Sequence, residues 1–243
     1  MIGAAAALTD QKRAAARDKL IVALDFATLP EAEAMVRALG DSASFYKIGM
    51  ELAYGGGLPF ARELIEDGGR VFLDLKLHDI PTTVTRACAN VARIGAQFLT
   101  IHAYPQTMTA AKEGAAGSAL KLLGVTVLTS YDDRDLAEAG YALSVGALVA
   151  RRAAQARDIG VDGLILSAEE LTSVRASVGP DMILVTPGIR PEKAAAADQK
   201  RTMTPRAAIK AGADYLVIGR PITQANNPRE AAEAILADIA AAL

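Results

Sequence analysis

At 243 residues, with 51% hydrophobic and 22% charged side chains, the chain can bury a sizeable core and lacks the polar bias of a disordered segment. A formal net charge of −2 and the lack of any Lys/Arg run exclude a broad electrostatic footprint for nucleic acid or an anionic membrane. Any anion must be held locally, and no run approaches the roughly 18 uninterrupted apolar residues of a membrane span.

In chain order, Met1 to Leu8 is Ala-rich but lacks the basic start and long apolar stretch of a secretory signal; Asp10, Lys12 and Arg13 follow at once. Residues 1–18 read as a lead-in with a short helix, and the expected compartment is the cytoplasm. Eight β-rich runs then recur with helical segments between them: Lys19 to Asp25, Ser44 to Gly49, Arg70 to Lys76, Gln97 to Ala103, Leu122 to Thr129, Asp162 to Ser167, Met182 to Pro187, and Asp214 to Gly219. Most are nearly continuous apolar runs, as parallel strands covered on both faces require.

The helices carry punctuation. Thr204-Pro205 sets a cap before a first-turn proline and Gly212 stops that helix, while Asn227-Pro228 with Glu230 starts the last one. Eight strand-then-helix units predict a single-domain (β/α)8 barrel over residues 19–243, because closure removes the edges that an open parallel sheet would keep. A doubly wound open sheet is the alternative. Gly55-Gly56-Gly57 either brings backbone close to a ligand or makes a plain turn. The single cysteine, Cys88, lies in a helix-like run and reads as a small buried apolar residue.

In such a barrel the reacting groups come from the C-terminal strand ends. Read in order, these ends are Asp25, Lys47, Asp74 with Lys76, His102, Thr129 with Ser130, Ser167, Pro187-Gly188 and Gly219-Arg220. Charge crowds the first three. Alternation from Val71 to Asp79 places Val71, Leu73, Leu75 and Leu77 on one face, and Asp74, Lys76 and His78 on the other. Burying an unpaired acid and amine costs several kcal/mol per ion, so both need partners. Lys47 on the neighbouring strand supplies one, and Asp79 could add a second carboxylate. Such an array reads either as a catalytic cluster or as a salt-bridge network that only plugs the barrel mouth.

The connection from Gly188 to Thr204 is far longer than usual and reads as a lid; it carries Arg190, Lys193, Gln199, Lys200 and Arg201. Backbone amides at Gly219 and the Arg220 guanidinium suit a phosphate, with a merely solvated basic loop as the alternative. Neither His78 nor His102 keeps metal-ligand spacing with a carboxylate or cysteine, so no metal site is expected.

The run Asp74-Leu75-Lys76-Leu77-His78-Asp79-Ile80-Pro81 resembles the signature of the orotidine 5′-monophosphate decarboxylase family. The likeness extends from about residue 19 to the end, through Leu24-Asp25, Tyr46 to Gly49, Val125 to Ser130, Val185 to Arg190, Asp198-Gln199 and Val217 to Pro221. The resemblance implies a decarboxylase with no cofactor and no metal. Asp25 and Lys47 would hold the ribose hydroxyls, and Lys47, Asp74, Lys76 and Asp79 would form the catalytic charge array. Thr129 and Ser130 would sit by the pyrimidine edge. Gln199, Gly219 and Arg220 would grip the phosphate, with Arg190 nearby in the lid; Ile80, Thr83 and Pro187 complete the binding set. The family works as a homodimer, with Asp79 reaching into the partner's site.

Two rival readings differ in chemistry. Magnesium-dependent phosphosugar aldolases and decarboxylases resemble this chain in the Asp-x-Lys-x-x-Asp strand but present a metal-binding glutamate where it has Lys47, and an ammonium repels magnesium. A catalytically silent phosphate-binding or scaffolding barrel could lose Asp74 or Lys76 freely, whereas every position of the array is filled here.

Overall fold

The structure is a computed structural model that describes residues 2–191 and 203–243. Eight parallel strands close on themselves in sequence order: β1 (Leu20–Ala23), β2 (Phe45–Gly49), β3 (Arg70–Leu77), β4 (Phe98–His102), β5 (Lys121–Val125), β6 (Gly163–Ile165), β7 (Ile183–Thr186) and β8 (Tyr215–Ile218). β8 pairs with β1 through Leu20↔Leu216 and Val22↔Ile218, which closes the barrel and removes the open-sheet alternative. Helices run between successive strands, as a parallel crossover demands.

Two apolar layers follow from the two-residue alternation of each strand. Inward residues Ile21, Phe45, Phe72, Phe98, Leu123, Val185 and Val217 fill the barrel. Outward residues such as Leu20, Val22, Ile48, Leu73, Leu99, Leu164 and Ile218 pack under the helices. Deep in the barrel, Phe98 meets Phe45 at 5.2 Å, Tyr215 at 5.1 Å and Phe72 at 6.0 Å between ring centroids. Arg70 lies over the Phe45 ring at 4.6 Å. These large rings exclude water and make the floor on which polar groups stand.

Local chemistry shapes the connections. Thr204 and Asn227 cap their helices by accepting from the backbone N–H of Ala207 (3.3 Å) and Glu230 (3.2 Å). The triple glycine forms a widened helical turn, Ala53–Gly57, with Gly56 at φ 96. A Cβ on Gly57 would stand 2.7 Å from the Leu52 carbonyl oxygen, so the plain-turn reading holds and these glycines do not line the large cavity. β5 ends at Val125, four residues before the sequence run it belongs to. Beyond it Thr126 still donates from its N–H and hydroxyl to Ile165 O, while Leu128 and Tyr131 close a turn.

The helix Ile2–Lys19 docks on the last helix, Pro228–Ala240. Arg13 Nε donates to Glu233 Oε2 at 3.0 Å, and Ser42 donates to Glu233 Oε1 at 2.7 Å. The hydrogen bond from Arg13 comes first among the causes that hold the Glu233 carboxyl below its usual range. Cys88 is fully buried, and burial pushes its thiol up to about 11. Among the described residues no helix is long and apolar enough to cross a membrane.

Candidate functional site

Two neighbouring strands, β2 and β3, and the segment after β1 place four charges in one chain of contacts. Ala23 of β1 pairs with Lys47 of β2, and Leu24 donates to Lys47 O, which brings Asp25 over the Lys47 side chain. Lys47 Nζ donates to Asp25 Oδ1 at 2.8 Å and lies 3.4 Å from Asp74 Oδ2. Lys76 Nζ donates to Asp74 Oδ1 at 2.8 Å. The order Asp25, Lys47, Asp74, Lys76 alternates in sign. Within the chain the second acid is therefore Asp25, not Asp79, because strand adjacency outweighs nearness in sequence.

Burial is deepest in the middle of that series: the Lys47 side chain is 9% exposed and Asp74 13%, against 54% for Asp25. Desolvation alone would pull the Lys47 ammonium down, but the charges of Asp74 and then Asp25 outweigh it, and its pKa rises above the ordinary lysine value. Burial likewise pushes Asp74 up. The charges of Lys47 and Lys76, with hydrogen bonds from Lys76 and Thr100, more than reverse this and hold its carboxyl below the usual range.

β3 is not a regular strand to its end. Its register against β4 runs Leu73↔Leu99 and then Leu77↔Ile101, and Lys76 has φ 47, alone among the described non-glycine residues in being positive. Such a conformation costs about 1 to 2 kcal/mol for an L-residue. The departure from regular pleat redirects the residues beyond it, and His78 does not share the face of Asp74 and Lys76. Its exposed ring stacks on Tyr104 at 4.5 Å and its Nδ1 hydrogen-bonds the Thr107 hydroxyl at 2.9 Å. His102 sits beside it at 5.7 Å between ring centroids; burial, then the charges of His78, Arg152 and Lys76, lower its pKa.

A cavity of about 620 Å³ opens above this array. Phe72, Val125, Ile165 and Val217 form its floor, while Asp25, Lys47, Asp74, Lys76, Thr129, Pro187, Arg190, Gly219 and Arg220 stand around its walls. Gly219 precedes a short helical turn, Arg220–Thr223, and because β8 pairs with β1 it lies next to Asp25: a Cβ on Gly219 would stand 4.0 Å from Asp25 Oδ2. The base of the long connection is pinned where Arg190 donates its N–H to Met203 O at 3.0 Å. Gln199, with Lys193, Lys200 and Arg201, lies outside the described residues.

Asp79, Ile80, Thr83 and Ser130 do not line this cavity. All four are exposed, Ile80 at 67%, and Asp79 turns its carboxylate to the Ile80 N–H. Residues that the strand-end reading passed over include Phe26, Met50, Glu51, Thr223 and Gln224 on the cavity wall. It also passed over Thr100, fully buried beneath the acids, although a hydroxyl inside the apolar run Phe98 to Ile101 was a visible signal. Among the described residues no group of three or more His, Cys, Asp or Glu side chains is arranged to hold a metal ion.

Sequence and structure comparisons bear on the same barrel. A protein of a Bradyrhizobium species named orotidine 5′-phosphate decarboxylase is 64% identical over 229 residues, 94% of this chain and 94% of its own. One so named from Rhodopseudomonas palustris is 62% identical over 226 residues, 93% of this chain and 95% of its own. The crystal structure of orotidine 5′-phosphate decarboxylase from Lactobacillus acidophilus matches with a TM-score of 0.81 at 38% identity, covering 91% of this chain and 99% of that one. The sequence model of the orotidine 5′-phosphate decarboxylase / HUMPS family matches residues 18–235. On this agreement over nearly the whole length, the chain belongs to the orotidine 5′-phosphate decarboxylase / HUMPS family.

Proposed function

We propose that this chain is a carboxy-lyase that converts orotidine 5′-monophosphate to uridine 5′-monophosphate without metal or organic cofactor, with Lys76 as proton donor to C6. The observation that carries the reading is the Lys76 amine on the cavity wall, 2.8 Å from Asp74 in an array already balanced in sign. The C6–carboxylate bond breaks, its electron pair stays on C6, and CO2 leaves. The pyrimidine ring cannot delocalise that pair, so preorganised charge must stabilise it. The Lys76 ammonium faces the developing anion, then passes one proton to C6 and is left as a neutral amine.

Asp74, its carboxyl held below the usual range by the two lysines, stands beside the substrate carboxylate and disfavours the ground state while orienting both lysines. Asp25 and Lys47 take the ribose hydroxyls, and Thr129 and Pro187 border the pyrimidine. Gly219, Arg220 and Gln199 hold the phosphate under a lid containing Arg190. Binding energy from that distant phosphate can then drive closure and positioning at the reacting carbon. The exposed run Asp79, Ile80 and Thr83 reaches into the site of a second copy in a homodimer. Residues 1–18 act as a lead-in, with 19–243 as the catalytic barrel. On this reading the protein serves pyrimidine nucleotide biosynthesis in the cytoplasm.

The phosphosugar branch of the family is the second reading. Lys47 weighs against it, because an ammonium between Asp25 and Asp74 occupies the position a divalent cation would need. The test is spectrophotometric: loss of orotidylate absorbance should proceed undiminished after exhaustive chelation. No turnover of orotidylate, or turnover that returns only with added magnesium, would overturn the proposal.

A further inference from the structure

We infer that Thr100 is a positioning residue that fixes where the Lys76 amine stands, a role that rests on the decarboxylase reading above. Thr100 lies in the middle of β4, inward-facing and fully buried. Its hydroxyl donates to Asp74 Oδ1 at 2.9 Å and accepts from the Lys76 backbone N–H at 2.9 Å. A hydroxyl has one proton and two lone pairs, so both bonds form at once. Lys76 Nζ reaches the same Asp74 oxygen at 2.8 Å, which closes a ring: hydroxyl to Lys76 backbone, Lys76 amine to carboxylate, carboxylate back to hydroxyl.

The backbone gives that ring its purpose. Between the pairs Leu73↔Leu99 and Leu77↔Ile101, residues 74–76 of β3 face Thr100 alone, and the surplus is taken up where Lys76 adopts φ 47. Bulges re-aim side chains, and a strained residue keeps its conformation only where its surroundings over-determine it. Thr100 supplies the bond to the strained residue's own N–H. Replacing the hydroxyl with a methyl group frees the bulge and the carboxylate together, while Asp25, Lys47 and Arg220 stay in place. The amine should then wander by a fraction of an ångström to an ångström, without loss of the groups that hold substrate.

The test compares Thr100→Val and Thr100→Ser with the wild-type protein in steady-state decarboxylation of orotidine 5′-monophosphate and in acid unfolding. Thr100→Val should lower kcat about 100-fold with KM within about twofold, the scale of a misplacement near an ångström. Thr100→Ser, which keeps the hydroxyl, should recover kcat to within about fivefold of wild type on the same scale. The acid limb of the stability curve should move to higher pH in Thr100→Val alone, because Asp74 loses a donor to its charged form. If Thr100→Val does not fold, Thr100→Ala carries the same expectations. A folded variant without the hydroxyl whose kcat stays within about twofold of wild type, or a loss that appears in KM, overturns the inference. If wild-type protein fails to decarboxylate at all, the functional reading falls by itself, and the acid-limb shift still decides whether Thr100 supports Asp74.

Discussion

Gly49 abuts Asp25 so closely that a Cβ on the glycine would stand 2.9 Å from the Asp25 carboxylate Oδ1, and 3.1 Å from Lys47 Nζ. The backbone at Gly49 has φ −85, which any residue can adopt, so space and not conformation demands glycine there. Gly49→Ala should fold and should displace the half-exposed Asp25 from Lys47. Because Asp25 is assigned to the ribose, KM for orotidine 5′-monophosphate should rise about tenfold, equivalent to about 1.4 kcal/mol, with a smaller change in kcat. Steady-state kinetics read this directly, and an unchanged KM would remove Asp25 from the ribose.

Lys76 and Arg220 line the same cavity from different strands, β3 and the end of β8, and should fail in different ways. Lys76→Ala removes the proton donor and should lower kcat by about 10³-fold or more while thermal stability stays near wild type. Arg220→Ala removes a charge-assisted contact to phosphate and should lower kcat/KM roughly 10- to 100-fold. Substantial turnover in Lys76→Ala refutes the donor assignment; an Arg220→Ala enzyme with unchanged kinetics refutes the phosphate assignment.

Asp79 gives the dimer reading a direct test, since it lies outside the cavity and its carboxylate accepts from the Ile80 N–H. Lys76→Ala and Asp79→Ala proteins should each be nearly inactive. Refolded together in equal amounts, they should regain about a quarter of the wild-type activity, because a mixed dimer holds one complete site in two and half of the dimers are mixed. No recovery on mixing means that Asp79 works in its own subunit or not at all.

The pH dependence of stability separates the array from the histidines. Asp74 is depressed in the fold, so its contribution is fully present above its ordinary value of 3.8 and lost as pH falls through the depressed one. Lys47 is raised, so its contribution is fully present below its ordinary value of 10.5 and lost as pH rises through the raised one. Across neutrality neither Asp74 nor Lys47 therefore adds a pH dependence. His102 is a base held below its ordinary 6.5, first by burial, so the unfolded chain binds its proton more readily and stability should drop as pH falls below 6.5. Urea unfolding at successive pH values should show this fall in wild type and a flatter profile in His102→Gln. Equal slopes would acquit His102.

Much of the fold was legible because most of the parallel strands are apolar on both faces, so runs such as Leu20 to Ala23 stand out from the helices. Strand ends were less so: Thr126 to Thr129 continues the apolar run of β5 while its backbone has already left the ladder, and composition does not distinguish the two. Alternation was enough to turn Asp74 and Lys76 toward the cavity. It could not foresee the fate of His78, because period-two reading assumes an even pleat and the pleat breaks at Lys76. The hydroxyl that holds that break, Thr100, comes from the next strand, and only the pairing of β3 with β4 brings it near. Asp25 was similarly hidden as the second acid, since it lies 22 positions from Lys47 along the chain and one strand away in space.

The stack of rings beneath the charges has a consequence for traffic. Phe45, Phe72 and Phe98 are sealed from solvent and stopper the cylinder below the reacting atoms. On the proposed function, nucleotide, CO2 and product would all pass through the mouth above the charge array, and CO2 released there would linger beside the new carbon anion. On the proposed mechanism, prompt protonation by Lys76 would keep that confinement from running the bond cleavage backwards.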